Sequence, residues 1–247
     1  HFADKVPGEA CAILGNGPSL RGFDLRSLGK LPAIGMNAAY RHWEGIGWYP
    51  TYYACLDLVV GDSHREQILE LIKHRKELGI ALFLLREQLI TSLQEQTDLE
   101  AVVNFDLLCH GSPLLAVAPI TTGSHSAAFA CLLGYKRLYL LGIDCNYVEK
   151  VRGARSLGGA VLELTHEEGN PNYFFDGYQR KGDRFNVPNP NPDLHIRAWR
   201  QVACAVSKTD ARIFNTNLAS KVVDFEPISI AEFMECEGLS ACSQKRT

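Results

Sequence analysis

The sequence predicts an α/β fold in which a mostly parallel sheet is covered by helices on both faces. Short apolar runs, of the kind that fill a sheet buried on both sides, alternate along the chain with segments of helical period. Unusual polar residues then gather just after those runs, at the strand ends where such sheets collect their ligand-binding groups. With 247 residues the chain is long enough for one large α/β unit with a substantial core, and the expected organisation is a single domain over 1–247.

The first run, Ala10-Cys11-Ala12-Ile13-Leu14, reads as a buried strand. It empties into Gly15-Asn16-Gly17-Pro18-Ser19-Leu20. Two glycines, a proline and two small polar side chains have the composition of a backbone cradle for an anionic ligand. The cradle matches neither common phosphate signature. A third glycine of the dinucleotide fingerprint is missing, and no Gly-Lys-Ser/Thr follows as a P-loop requires. Further strands are expected at 32–36, 52–57, 80–85, 100–104, 137–143 and 211–214, and helices at 62–78, 86–95, 124–133 and 194–207. Asn37 follows the second strand and Asp57 ends the third.

Thr121-Thr122-Gly123-Ser124-His125-Ser126 runs directly into the apolar Ala127–Leu133 stretch, closed by Gly134. Hydroxyls and free amides at a helix start form an anion site favoured by the helix dipole. The strand after it, ending at Gly142, leads into Ile143-Asp144-Cys145-Asn146-Tyr147. From about 145 to 192 the chain has no strong periodicity and is rich in Gly, Asn, Pro and Tyr, so an irregular lid or acceptor loop is expected there. No internal repeat or low-complexity tract is present.

A net charge of -3 arises from interspersed Asp, Glu, Lys and Arg. With no basic stripe and no cationic helix, nucleic acid is not an expected partner, and a small molecule or glycan fits better. The eight cysteines stand singly, several inside apolar runs (Cys11, Cys55, Cys131, Cys204), without a CxxC pair or zinc-site spacing. Buried free thiols in a reducing compartment are expected. No apolar run approaches the roughly 20 residues of a membrane span, and no signal peptide is visible. The expected location is cytoplasmic, with peripheral association at the inner face of the membrane open. The chain begins at His1, which leaves a preceding segment open as well.

Three segments together resemble bacterial sialyltransferases of glycosyltransferase family 42 and the wider group of flagellin-modifying proteins sharing their core. They are Ile13-Leu-Gly-Asn-Gly-Pro-Ser-Leu20, Ile120-Thr-Thr-Gly123 and Ala130-Cys-Leu-Leu-Gly-Tyr-Lys-Arg-Leu-Tyr-Leu-Leu-Gly-Ile-Asp144. Their order and spacing match over most of the chain, and the same core also resembles archaeal hydroxymethylpterin diphosphokinase. The resemblance implies a Rossmann-like, variant GT-A-like core. It further implies metal-independent, inverting transfer of a 2-keto acid sugar (sialic acid, a related nonulosonate or Kdo) from a CMP-sugar to a glycan or glycolipid hydroxyl. The CMP-sugar is then a substrate, with no separate cofactor and no metal ligands. The sequence has no convincing Asp-x-Asp motif, and a homo-oligomer is plausible by analogy.

Carried over by residue, the resemblance gives Gly15, Asn16, Gly17 and Ser19 to the nucleotide and phosphate, and Asn37 to the cytidine phosphate or donor sugar. Thr121, Thr122 and Gly123 line the same pocket, with Asp144 at the facing strand end. Tyr173, in Tyr-Phe-Phe-Asp176, falls where the family uses a tyrosine to hydrogen-bond the departing phosphate, and a second family tyrosine corresponds to Asn146 or Tyr147. The family's general-base histidine aligns with Pro190, whereas His195 lies a few residues on, at the start of the late helix. A neutral imidazole suits removal of a proton from a hydroxyl. His125 is the rival, followed by His166, Asp57 and Asp176. Asp57 stands near a family asparagine, which allows a different donor sugar. Two other readings remain: a diphosphokinase, for which Asp57, Asp144 and Asp176 would converge on magnesium, and a non-catalytic nucleotide- or glycan-binding module.

Overall fold

The structure, a computed structural model, describes residues 9–189, 191 and 193–240. Pro190 lies outside the described residues. The seven expected strands and one that was not expected form one parallel sheet of eight: β1 (Ala10–Leu14), β2 (Ala33–Met36), β3 (Tyr52–Cys55), β4 (Leu82–Leu85), β5 (Val102–Asn104), β6 (Arg137–Leu141) and β10 (Arg212–Asn215), with the additional β11 (Glu226–Pro227). Their spatial order is β11-β10-β6-β1-β2-β3-β4-β5. The chain thus builds outward from β1 to β5, returns to lay β6 against the free side of β1, and continues outward the other way. Every pairing in this sheet is parallel. The point where the order reverses lies between β1 and β6, and a crevice opens outside the strand ends at such a point.

Alternation along β1 divides the core in two. Ala10, Ala12 and Leu14 join Trp43, Tyr53 and Phe83 on one face of the sheet. Cys11 and Ile13 join Phe129, Leu138 and Trp199 on the other. That second face is covered by α7 (Thr122–Leu133) and α8 (Leu194–Val206). Helix α7 is buried almost all round, and its alanines let it lie between the sheet and α8. Helix α8 instead shows a single apolar stripe of Ala198, Trp199, Val202 and Val206. Each such side chain, once fully buried, contributes roughly 1.5–3 kcal/mol for a Val- to Phe-sized group.

The structure corrects several expectations. The helix expected at 62–78 starts earlier and is broken into α2 (Leu58–Ser63), α3 (Arg65–Lys73) and α4 (Arg75–Leu78), with His64 and His74 at the breaks. Helices α1 (Tyr40–Ile46), α6 (Phe105–Gly111) and α9 (Ile230–Cys236) were not expected, whereas α5 (Glu87–Leu93) was. The 145–192 segment is not wholly irregular. It contains a three-stranded antiparallel sheet of β7 (Ala154–Gly158), β8 (Val161–Leu164) and β9 (Arg184–Asn186). Strand β7 is mostly exposed and therefore carries no buried-strand signature. Cys11 and Cys55 are buried free thiols as expected, but Cys204 is exposed and Cys131 only half-buried. Among the described residues, no helix is long and apolar enough to cross a membrane.

Candidate functional site

The loops leaving β1 and β6 are laced together at the switch point. Gly15 N–H donates to the Leu141 carbonyl at 2.7 Å, and Gly17 N–H to the Gly142 carbonyl at 2.8 Å. This closeness explains the glycines. A Cβ on Gly15 would lie 2.3 Å from the Gly142 oxygen, and one on Gly17 would lie 2.5 Å from Asp144 Oδ2. Gly142 meets a second requirement, a φ of +67°. Above this lacing opens a cavity of about 520 Å³, walled by the ends of β1, β2, β3 and β6, the start of α7, and the 172–188 and 194–199 segments.

Of the residues expected at a donor site, Gly15, Asn16, Gly17, Asn37, Asp57, Thr121, Thr122, Gly123, Asp144, Asn146, Tyr147, Tyr173 and His195 all line this one cavity. Asn16 Nδ2 donates to the Tyr178 hydroxyl at 2.9 Å, while its buried Oδ1 has no partner. Turning the amide over would only exchange which atom is unpartnered. A polar atom buried without a partner costs about 1–3 kcal/mol, so it marks a place where a ligand group belongs. Asn37 adopts a left-handed φ of 54°. Its carbonyl accepts from Tyr53 and its Oδ1 from Thr122.

The threonines at the start of α7 are structural in their hydroxyls. Thr121 Oγ1 caps the helix through Ser124 N–H at 3.4 Å, and Thr122 Oγ1 accepts from Leu56 N–H at 3.1 Å. What the helix start offers a ligand is therefore the amides of Thr122 and Gly123, which have no intrahelical acceptor. The arginines in the wall are both engaged elsewhere: Arg86 bonds Asp106 at 2.8 Å and Arg184 bonds Asp62 at 2.8 Å. Positive potential for an anion thus comes from oriented amides and hydroxyls.

Ser19 does not reach the cavity wall. Its amide donates to Asp144 Oδ2 at 2.8 Å and its hydroxyl to Asp144 Oδ1, which also accepts from Asn217. Asp144 is thereby a cross-tie between the two strand-end loops. Asp57 caps α2 through Val59 and Val60 amides and accepts twice from Asn186 Nδ2, at 3.1 and 3.0 Å. Asn146 is exposed and donates to the Ala219 carbonyl. Asp176 lies outside the cavity beside Arg21, at 3.7 Å. Among the described residues, no group of three or more His, Cys, Asp or Glu is arranged to hold a metal ion.

The two candidate bases separate cleanly. His125 is fully buried and away from the cavity: Nε2 faces the Val117 carbonyl at 3.1 Å, and Nδ1 faces Ser124 Oγ and the Thr121 carbonyl. Its ring packs edge-on against Phe105, and burial holds its pKa down. It is a core histidine. His166 is an exposed residue bonded to Thr165. His195, in the first turn of α8, does line the cavity. Its ring lies 4.9 Å from that of Tyr147. Burial lowers its pKa, opposed by the influence of the Pro188 carbonyl and of the Asp57 charge.

Sequence reasoning missed several wall residues. Tyr178 stacks on Tyr173 with centroids 3.7 Å apart and planes 16° apart. Burial pushes both phenols well above their ordinary pKa. Asn172 pairs its side-chain amide with both backbone groups of Val148, at 2.7 and 2.9 Å. Asn186 and Gln179 complete this side of the cavity. Apart from the density of Asn and Tyr in 170–186, nothing in the sequence pointed to them.

No protein-family model and no curated protein sequence matches this chain. Solved structures do. The monofunctional alpha-2,3-sialyltransferase Cst-I from Campylobacter jejuni is similar at a TM-score of 0.58 and 19% identity, covering 90% of this chain and 80% of that one. The sialyltransferase CstII from Campylobacter jejuni, in complex with the substrate analogue CMP-3FNeuAc, gives 0.56 and 17% over 90% of this chain and 86% of that one. CST-II in complex with a trisaccharide acceptor and CMP gives 0.55 and 18%, over 88% and 84%. The chain therefore shares the GT-A-like, Rossmann-like fold of these sialyltransferases.

Proposed function

We propose that this chain is a glycosyltransferase that moves a 2-keto acid sugar from its CMP ester to a glycan hydroxyl with inversion. The observation that carries the reading is the convergence, in one cavity at the switch point, of an unpartnered Asn16 amide atom, the first-turn amides of α7 and His195. Its support is the fold shared with sialyltransferases solved with CMP and with a CMP-sugar analogue.

In this reading the Thr122 and Gly123 amides hold the CMP phosphate, and Asn16 Oδ1 accepts a hydrogen bond from a hydroxyl or amino group of the nucleotide. Tyr173, kept protonated by burial, donates its hydroxyl hydrogen to the departing phosphate oxygen. His195 removes the acceptor proton while the acceptor oxygen bonds to the anomeric carbon. The bond from that carbon to the phosphate oxygen breaks, and CMP leaves with the electron pair. Charge growing on the phosphate meets donors already oriented, which is where such sites gain most of their rate. The lid sheet beside the cavity excludes water that would otherwise hydrolyse the donor.

The diphosphokinase reading requires three carboxylates to converge. Asp57 and Asp144 share the cavity but are engaged by Asn186 and by Ser19 and Asn217, and Asp176 lies outside it. The deciding experiment is calorimetric titration with CMP, CDP, UDP and ATP, with EDTA and then with magnesium. Metal-independent preference for CMP, followed by turnover of CMP-sialic acid or CMP-Kdo, is the expected result. Magnesium-dependent ATP binding without CMP binding would replace the reading with the diphosphokinase, and CMP binding without turnover of any donor would replace it with a binding module.

A further inference from the structure

One buried ion pair ties the cavity wall, to which Asp183 belongs, to Arg41 behind it. Arg41, on α1, sends Nη1 to Asp183 Oδ2 at 2.5 Å and Nη2 to Asp183 Oδ1 at 3.0 Å. The same Nη1 donates to the Tyr178 carbonyl at 2.8 Å. Asp183 Oδ2 also accepts from Arg180 N–H at 2.7 Å, so the 178–183 turn is wrapped around the pair. The two side chains are only 9% and 12% exposed. His64 Nε2 lies 3.9 Å from Asp183 and its Nδ1 meets the Tyr40 hydroxyl at 2.8 Å, but burial pushes its pKa down to about 4. At neutral pH that imidazole is uncharged, and Arg41 balances Asp183.

The position of this pair matters more than its charge. Arg41 stands four residues after Asn37, on the element that follows the cavity end of β2. Tyr178, whose carbonyl it grips, stacks on Tyr173 and receives Asn16 Nδ2 on its hydroxyl. One guanidinium therefore joins the β2 side of the cavity to the lid residue that seats both the tyrosine stack and the Asn16 amide. Replacing a buried pair by apolar groups of equal volume is often neutral or stabilising, so stability alone is a weak reason for its presence. A planar fork that fixes two partners at once is a better one.

We propose that Arg41 and Asp183 are positioning residues that set the Tyr173–Tyr178 stack against Asn16 and so shape the phosphate end of the cavity. Its consequence for donor binding rests on the CMP reading given above.

The test compares Arg41→Lys, which keeps the charge but loses the fork, with Arg75→Met, which breaks an ion pair with Glu100 away from the cavity. Two readouts are taken well below each variant's melting temperature: near-ultraviolet circular dichroism in the tyrosine band, referenced to Tyr178→Leu as the unstacked state, and calorimetric CMP affinity. Arg41→Lys is expected to move the tyrosine band toward that of Tyr178→Leu and to weaken CMP binding by roughly tenfold or more. Arg75→Met is expected to leave both unchanged. An Arg41→Lys protein with wild-type tyrosine signal and wild-type affinity would overturn the proposal. If the wild-type chain does not bind CMP, the donor reading fails while the tyrosine band still decides what the pair does. Should Arg41→Lys not fold, Asp183→Asn, which retains volume and an acceptor, takes its place. Failure of both to fold would make the pair a folding requirement and overturn its positioning role.

Discussion

Burial acts on His195 in the direction a general base needs. Removing the ring from water disfavours the imidazolium, and the Pro188 carbonyl and Asp57 only partly offset this, so its pKa falls below the ordinary 6.5. In the proposed reaction the unprotonated ring is the active form, so turnover should hold into mildly acidic solution and decline only as pH falls through that lowered pKa. His195→Ala is expected to reduce turnover by roughly 10²- to 10⁴-fold and to abolish this acidic limb, with CMP affinity retained. A pH–rate profile checks it, and an unchanged profile in the variant would remove His195 from the reaction. His64 gives a stability prediction of its own. Its pKa is lowered from 6.5 to about 4, chiefly by burial. As pH falls between these values the unfolded chain binds a proton that the folded chain does not. Stability present above 6.5 is therefore lost on the way down to about 4. His64→Gln should flatten that loss, measured as urea midpoints at about pH 7 and about pH 5. From the sequence, His125 and His195 looked alike, each at a helix start. What separates them is the Val117 carbonyl and the Phe105 ring on one and a cavity on the other, and neither is a local property of the chain.

The strand-end loops make the sharpest demands among the elements. A Cβ at Gly15 would meet backbone, the Gly142 oxygen at 2.3 Å, and that oxygen is fixed by Gly17 N–H. The Ile143 side chain, 2.5 Å away, could turn aside, but the Gly142 backbone could not. Gly15→Ala is thus expected to prevent folding or to cost several kcal/mol. Gly45→Ala, inside α1 with nothing within 4 Å of the added carbon, should stabilise by about 0.5–1 kcal/mol. Thermal denaturation of the pair distinguishes a packing requirement from a mere glycine preference. The same loops show why so much of the fold was legible. Parallel strands buried on both faces read as uninterrupted apolar runs, so β1, β2, β3, β4, β5, β6 and β10 stood out, and a strand followed by Gly-Asn-Gly marks its own end. Strands β7 and β9 carry no such signal because one is mostly exposed and the other has three residues, Arg184-Phe185-Asn186. Their pairing is fixed by contacts with β8, and the 154–186 segment therefore read as loop. Arg41 and Asp183 were invisible for a related reason. They stand 142 residues apart, and no spacing rule connects them.

The whole molecule turns this dispersion into a property that can be measured. Segments at 15–17, 37, 57, 121–123, 142–147, 172–188 and 195 meet in one cavity, so nearly every layer of the fold contributes to it. A ligand that bridges them binds the folded chain and not the unfolded one. Stability must then rise by RT ln(1 + [L]/Kd), which is about 2.7 kcal/mol when the ligand is at 100 times its Kd. For a chain of this length that corresponds to a rise in melting temperature of about 5–10 °C. CMP at that excess is expected to produce it, and ATP at the same concentration without magnesium is not. The topology adds a spatial prediction that a melting shift alone cannot supply. Amide exchange should slow at the β1 and β6 loops, at the first turn of α7 and around Tyr173–Tyr178, because these flank the reversal in strand order. The outer strands β5 and β11, at opposite edges of the sheet, should exchange as before. Protection centred on either edge would mean that the ligand sits away from the switch point, and the donor site drawn here would be the wrong one.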